Sequence, residues 1–282
     1  MKDLYLRECA RLYTKYHRGK DINEYLKALK KEEYIDIPFV EMSVTTKCNL
    51  KCKYCSNLIP YLSKQKHFDL DQNIEDLNKL LHAVHLIYRL KIHGGEPLLY
   101  PQLNEFLKYA LEQPKIIDVR ISTNGTVTPN ENLLQTMKNP KFVLHISQYS
   151  ITEKTVKKLI KKLQENNIRY FYMEGQKWSD LGNYEVQRER VMEETEAMIQ
   201  VCNMRKCTSY YEGKIYVCSR AANRCAIIGE EEGIFLGTED DKQKLWAFFK
   251  ETYFESCQYC DGVLIDADMI SAGEQGEIRW NT

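Results

Sequence analysis

The sequence predicts an α/β protein: an open, partial TIM-like barrel followed by a small C-terminal hairpin-plus-helix appendage. From Pro38 onward, strand-like runs rich in β-branched and aromatic residues alternate with amphipathic helical stretches. That pattern is the mark of βαβ units and a parallel sheet with right-handed crossovers. The strands also alternate apolar with polar side chains, so one face meets helices while the other encloses a hydrophilic lumen. After residue 201 the alternation stops and a cysteine-bearing hairpin begins. A chain of 282 residues can bury one large core plus a small appendage.

Residues 4–16 read as a helix halted by Gly19. Asp21 with Glu24 forms a capping-box pattern that opens a second helix to about residue 31. Residues 1–37 are thus a helical lead-in, 38–201 the barrel and 202–282 the appendage. Strands are expected at 39–44, 88–93, 116–122, 141–147 and 168–173. Helices are expected at 70–84, 101–112, 129–138 and 152–165, then a long one over 184–201. Five units are clear and the sixth strand is left open. In the first strand Val40, Met42 and Val44 oppose Glu41, Ser43 and Thr45; the next three strands divide in the same way. With the apolar sets against the helices, the lumen collects Glu41, Lys91, His93, Arg120, Ser122, His145 and Ser147. A closed TIM barrel fills that space with branched aliphatics, and unpaired buried charge is costly. Either these groups pair internally, as Glu41 with Lys91 or Arg120, or they meet a hydrogen-bonding ligand. The two readings are compatible.

Composition narrows the partners. Lys+Arg and Asp+Glu both number 40, so no net field favours nucleic acid or an anionic membrane, and neither is expected as a partner. The opening Met1-Lys2-Asp3 is charged, unlike a signal peptide, and no run approaches transmembrane length; a cytoplasmic location is expected. Ten cysteines without a secretory signal argue for metal ligation in a reducing compartment over a disulfide framework. Nineteen tyrosines suit polar ligands such as sugars, although a compositional bias explains them equally well.

The chemistry concentrates in TKCNLKCKYCS, residues 46–56. Cys48, Cys52 and Cys55 are spaced C-x3-C-x2-C on a loop leaving the first strand. Three thiolates this close can ligate three irons of a cubane 4Fe–4S cluster and leave the fourth bare, whereas electron-transfer clusters normally have four cysteines. Zinc would require a fourth ligand, and none lies near the trio in sequence. His93-Gly94-Gly95-Glu96-Pro97 follows the second strand. In this order the two motifs resemble the radical S-adenosylmethionine (SAM) superfamily. The resemblance implies an incomplete (βα)6 barrel whose open iron chelates the methionyl amine and carboxylate of SAM. It also implies that Gly94, Gly95, Glu96 and Pro97 meet the SAM amine. Tyr54 resembles the aromatic that packs near adenine. Ser122-Thr123-Asn124-Gly125 resembles the loop approaching the ribose or carboxylate, and Ser147 a further polar contact. Asn124-Gly125 is equally a good turn dipeptide. Barrel sites sit at the carboxyl ends of strands, where Cys48, Glu96, Asn124 and Gln148 fall.

A second set of cysteines follows. Cys207 and Cys218 flank a hairpin with Glu212-Gly213 at its turn, and antiparallel pairing would bring them together. A helix over 240–254, N-capped by Thr238, leads to Cys257-x2-Cys260. Four thiols complete a site for zinc or for iron–sulfur. The pattern resembles the twitch form of the SPASM auxiliary domain, which implies an auxiliary 4Fe–4S cluster ligated by Cys207, Cys218, Cys257 and Cys260. Cys202, just upstream, could replace Cys207; Cys225 and Cys9 are left over.

The resemblance further implies that flavodoxin or ferredoxin reduces the first cluster and that SAM is cleaved to methionine and a 5′-deoxyadenosyl radical. The radical then abstracts hydrogen from an unactivated C–H bond, a step beyond ordinary side-chain acids and bases. The expected substrate is a polar small molecule, a sugar or aminocyclitol. Dehydrogenation would use a lumen base and the auxiliary cluster; epimerisation would use a cysteine hydrogen donor outside the clusters, for which Cys225 and Cys202 are the spare thiols nearest the auxiliary site and Cys225 is the candidate. Maturation of a ribosomally made peptide, by crosslink, thioether or epimerisation, is the alternative. The polar lumen argues against it, as does a lead-in shorter than the leader-binding domain many peptide-modifying members carry. A non-catalytic iron–sulfur scaffold or zinc adaptor would need no Gly-Gly-Glu-Pro turn.

Overall fold

A computed structural model describes residues 2–265, 267 and 269–276. Two helices, α1 (Lys2–Tyr16) and α2 (Ile22–Lys30), lead in, and Asp21 caps α2 by accepting the Asn23 N–H at 2.8 Å. The repeating units follow: β1 (Asp36–Ile37), β2 (Val40–Thr45), α3 (Leu70–Ala83), β3 (Leu86–Gly94), α4 (Leu103–Glu112) and β4 (Ile116–Thr123). Next come α5 (Glu131–Met137), β5 (Phe142–Ser147), α6 (Glu153–Glu165) and β6 (Tyr170–Met173). The remainder holds β7 (Lys177–Ser179), α7 (Met192–Val201), β8 (Thr208–Tyr211), β9 (Lys214–Tyr216), α8 (Ser219–Ile228), β10 (Ile234–Phe235), α9 (Asp241–Lys250) and β11 (Met269–Ser271).

The principal sheet has 9 strands in the order β10-β9-β8-β2-β3-β4-β5-β6, with β1 beside β3; β7 and β11 form a separate ladder. The run from β8 to β6 is parallel, an open partial TIM-like barrel. Its register explains why the two faces differ. Met42, Ile92, Ile121 and Leu144 lie side by side across four strands and are at most 2% exposed, forming a continuous apolar row under the helices. Each such side chain contributes about 1.5–3 kcal/mol by burial. The next row, turned the opposite way, runs Glu41, Lys91, Arg120 and Val143. The polar lumen is therefore a consequence of register.

Four elements differ from expectation. The sixth parallel strand is β8, the first arm of the hairpin, which docks beside β2 with Val40 opposite Thr208 and Met42 opposite Tyr210. The long helix over 184–201 is only α7. Arg188 is gripped in a fork by Asp261, both bonds 2.8 Å, and Arg190 donates to the carbonyls of Cys257 and Cys260, so 184–191 is drawn onto the appendage instead of coiling. Helix α8 was not anticipated; Gly229, at φ 76°, ends it in the left-handed conformation. Helix α9 ends at Lys250 and takes Asp240, not Thr238, as its N-cap residue. The hairpin turn itself is as expected, with positive φ at both Glu212 and Gly213. Among the described residues no helix is long and apolar enough to cross a membrane.

Candidate active site at the carboxyl ends of the strands

The loop after β2 and the turn after β3 are stitched together through their backbones. Gly95 N–H donates to the Thr45 carbonyl and Glu96 N–H to the Lys47 carbonyl, both at 2.9 Å. Only glycine allows this approach. A Cβ on Gly94 would stand 1.9 Å from the Thr45 oxygen, and one on Gly95 2.3 Å from the Lys47 oxygen. Gly94 also sits at φ 140°, outside the range of L side chains. The glycine pair thus holds the cysteine loop against the sheet.

Cys48, Cys52 and Cys55 line one cavity of about 350 Å³ over the strand ends. Burial pushes the Cys48 thiol up to about 12 and the Cys52 thiol to about 11. Free thiols here stay protonated at neutral pH, so thiolate chemistry requires a bound metal to displace the proton. Three such donors on one loop, facing a common space, fit a cluster with three protein ligands. Among the described residues no group of three His, Cys, Asp or Glu side chains forms a single-ion site. Gly94, Gly95, Ser122, Asn124 and Ser147 line the same cavity, and the Asn124 Nδ2 lies 3.9 Å from the Cys48 sulfur.

Two residues of the Gly-Gly-Glu-Pro turn are placed otherwise than expected. Glu96 is 0% exposed, and its carboxylate accepts the Leu98 N–H at 3.0 Å, the Thr123 hydroxyl at 2.8 Å and the Asn124 N–H at 2.7 Å. It clips the end of β3 to the end of β4. Burial pushes its carboxyl up to about 7 against the opposing pull of these donors. Pro97 starts the 3₁₀ turn Pro97–Leu99 and, like Glu96, is buried away from the cavity. Tyr54 does not line this cavity; it lines a small neighbouring crevice with Lys53 and Asp180.

Deeper in the lumen, Glu41, Lys91, His93 and His145 line the cavity together. Lys91 Nζ donates to Glu41 at 2.7 Å, the internal pair expected from sequence. Burial opposes charge on Glu41, but Lys91 and then His93 outweigh it and hold the carboxyl down at about 2. Burial lowers both His93 and His145 to about 4. Glu41 Oε2, His93 Nε2 and His145 Nε2 are buried and have no hydrogen-bond partner. The first two face each other at 3.8 Å, too far to bond. Arg120 does not join them. Asp118, two residues earlier on the same face, holds its guanidinium by bonds of 2.7 and 3.2 Å, and Tyr16 donates to the same carboxylate.

Sequence reading missed one wall. The ladder of β7 with β11 brings Trp178 and Met269 to the cavity, and Trp178 meets Tyr149 edge-on at 5.3 Å. Tyr149 lies two residues past the end of β5, so its position near a strand's carboxyl end was the available signal. Nothing local marks Trp178, because a strand of three residues paired across ninety positions carries no periodicity.

The second cysteine set is corrected in one member. Cys202, Cys218, Cys257 and Cys260 line a narrow apolar cavity with Ile199 and Val217, and Cys207 is absent from it. Cys207 lies on the last residue before β8, within electrostatic reach of Glu41 and Lys91. Docking of β8 onto β2 holds Cys207 there, whereas α7 delivers Cys202 to the site as its C-cap. Backbone N–H groups of Val263 and Gly262 point at the sulfurs of Cys202 and Cys260, at 3.3 and 3.4 Å. Buried Arg205 stands near Cys257, Cys218 and Cys202 and would offset thiolate charge. Four thiols with N–H donors and a cation fit a fully ligated cluster. Leu181, Met204 and Val263 line both cavities, so the two sites are neighbours. Cys202→Ala is expected to lower reconstituted iron from about eight to about four per chain; Cys207→Ala should retain about eight. Iron analysis after anaerobic reconstitution checks this, and equal loss in both variants would reject the revised ligand set.

Cys225 is not near the lumen. It sits two turns along α8 from Cys218, about 10 Å, buried beside Tyr211, Tyr216 and Ala222 with its sulfur 3.7 Å from the Ser256 hydroxyl. It packs in that cluster and does not line the cavity, contrary to the placement a hydrogen donor there would need. Cys9 is likewise buried, beneath the sheet beside Asp36.

The sequence profile of the Radical SAM superfamily matches residues 42–203. The chain is similar to GTP 3′,8-cyclase of Campylobacter jejuni strain RM1221, 33% identical over 129 residues, which is 45% of this chain and 39% of that protein. It is similar also to GTP 3′,8-cyclase of Clostridium acetobutylicum, 33% identical over 99 residues, 33% of this chain and 29% of that protein. These alignments span well under half of the relatives' length. Among solved structures, BtrN in complex with AdoMet and 2-DOIA superposes with a TM-score of 0.52 at 18% identity, covering 84% of this chain and 96% of that one. SuiB of Streptococcus suis bound to S-adenosylmethionine gives 0.49 at 13% identity, covering 80% and 67%.

Proposed function

Because the chain belongs to the radical SAM superfamily, we propose that it abstracts hydrogen from a polar small molecule in the lumen, an alcohol-bearing sugar or aminocyclitol, and dehydrogenates it. The observation that carries this reading is the trio of buried, unpartnered atoms, Glu41 Oε2, His93 Nε2 and His145 Nε2. Unsatisfied buried polar atoms are costly, and a ligand with several hydroxyl groups would satisfy them at once.

Cys48, Cys52 and Cys55 would hold the 4Fe–4S cluster, and Gly94, Gly95, Ser122, Asn124 and Ser147 would surround SAM. When bound, cluster and SAM supply a 5′-deoxyadenosyl radical, the electron coming from a flavodoxin or ferredoxin. The protein's own share is placement and proton handling. His93, neutral at pH 7, accepts the substrate hydroxyl proton, and Glu41 faces the imidazolium that forms. Lys91 fixes Glu41 from the other side. Tyr149 and Trp178 wall the cavity against water. Oxidation of an alcohol releases a hydrogen atom, a proton and an electron. Cys202, Cys218, Cys257 and Cys260, across Leu181, Met204 and Val263 from the lumen, would hold an acceptor for the last.

The test is anaerobic turnover with C-deuterated hexosamines, aminocyclitols and peptides, followed by mass spectrometry of 5′-deoxyadenosine and product. Label reaching 5′-deoxyadenosine together with a ketone product is expected from the first two classes. Label from peptides alone would replace this reading with peptide maturation.

Protonation gives a second expectation. His93 is held near 4 against an ordinary 6.5, so between those values the unfolded chain binds a proton that the folded chain does not. Stability should therefore rise with pH across that window and be lost as pH falls through it. The groups facing His93 are Glu41 on β2 and Lys91 on its own strand; His145, on β5, shifts the same way. His93→Gln should flatten the acid limb of stability measured by chemical denaturation. It should also slow product formation by about 100-fold, the lower end for a lost general base, while SAM cleavage continues.

A further inference from the structure

The C-terminal segment returns to the cysteine loop from more than two hundred residues away. Lys53 N–H donates to the Glu274 carbonyl at 2.7 Å and Gly276 N–H to the Lys51 carbonyl at 3.0 Å, so the two stretches pair antiparallel around Cys52 and Gln275. Lys53 and Glu274 add an ion pair at 2.5 Å. Just upstream, Gly273 lies so close over the Tyr149 ring that a Cβ would stand 2.3 Å from it. β11 then pairs with β7, part of the cavity wall. The strap is thus anchored on both sides of the cysteine loop.

Within it, the Gln275 amide has only one orientation. Lys51 N–H reaches the amide oxygen at 2.7 Å, and a donor there requires oxygen, not nitrogen. The NH₂ group therefore faces inward, where it donates to the Cys52 sulfur at 3.2 Å and to the Gly273 carbonyl at 2.7 Å. The rest of Gln275 is exposed, while Cys52 is 7% exposed.

We infer that Gln275 raises the reduction potential of the cluster that Cys48, Cys52 and Cys55 would hold, an inference that rests on the cluster reading of this trio. Reduction adds negative charge that is shared with the ligand sulfurs, and an N–H aimed at a sulfur stabilises that charge. Because the donor comes from the strap, the cluster's readiness to accept an electron depends on the strap being seated. Gln275 acts through Cys52 and is a positioning residue.

The test is a potentiometric titration of the reconstituted full chain, following the paramagnetic signal that changes when SAM is added. Gln275→Leu and Gln275→Glu both remove the donor, and the second keeps the oxygen that Lys51 needs. Each is expected to weaken reduction about fivefold, a shift of roughly 40 mV to more negative potential at 59 mV per decade for one electron. Glu274→Gln, which breaks the ion pair but leaves the amide, should keep the wild-type midpoint. An unchanged midpoint in both Gln275 variants overturns the inference. So does a Glu274→Gln shift as large as theirs, which would assign the effect to loosening of the strap. If wild-type protein gives no SAM-responsive signal, the cluster reading itself fails, an outcome separate from either of these.

Discussion

Cys52→Ala is expected to abolish formation of 5′-deoxyadenosine. The three thiols of the loop line one cavity, and the described residues offer no fourth cysteine there to take the place of a lost ligand. Losing an outer-shell partner costs a metal site roughly 10- to 100-fold, and losing one of three ligands should exceed that range. The variant should also retain no SAM-responsive paramagnetic signal. Liquid chromatography of reaction mixtures with dithionite and SAM measures the first effect and electron paramagnetic resonance the second. Cys225→Ser serves as the matched control, because its thiol packs between Tyr211 and Tyr216 away from the cavity; turnover should be unchanged. Wild-type levels of 5′-deoxyadenosine from Cys52→Ala would remove the cluster loop from the chemistry.

Gly94→Ala should be the most destabilising single-methyl substitution in the chain. Its Cβ would fall 1.9 Å from the Thr45 oxygen, a backbone atom that cannot turn aside, at a φ of 140° that alanine avoids. Relief requires parting β3 from β2 where Gly95 N–H bonds to Thr45. The expected cost is about 4 kcal/mol or more, the range reserved for specific steric failures. Gly175→Ala adds a methyl with nothing within 4 Å and suffers only from its positive φ of 59°, so it should cost about 1 kcal/mol. Urea denaturation of both variants compares them, and a difference under about 1 kcal/mol would show the stitch to be dispensable. Because the clash is independent of any ligand, the effect should appear before reconstitution.

Much of the site was legible from local order. The C-x3-C-x2-C spacing, the glycine pair and the alternation of Glu41, Lys91, His93 and His145 are short-range patterns. In a strand of period two, such a pattern determines which face each side chain occupies. The Glu41–Lys91 pair followed from that alternation because the two residues are neighbours in register. Arg120 shares the same row, yet Asp118 draws it away, and a competition between two partners cannot be read from alternation alone.

Local sequence therefore determined the strands β2 to β6, their inward faces, the cysteine loop and the close turn that supports it. Tertiary structure alone decided what depends on distant pairing. It docked β8 beside β2, exchanged Cys207 for Cys202 in the second cysteine set, buried Glu96 as a clip and carried Gln275 back to Cys52. The reason is physical. Periodicity and turn chemistry act over a few residues, whereas these four arrangements are set by which surfaces and hydrogen-bonding groups meet once the sheet has formed.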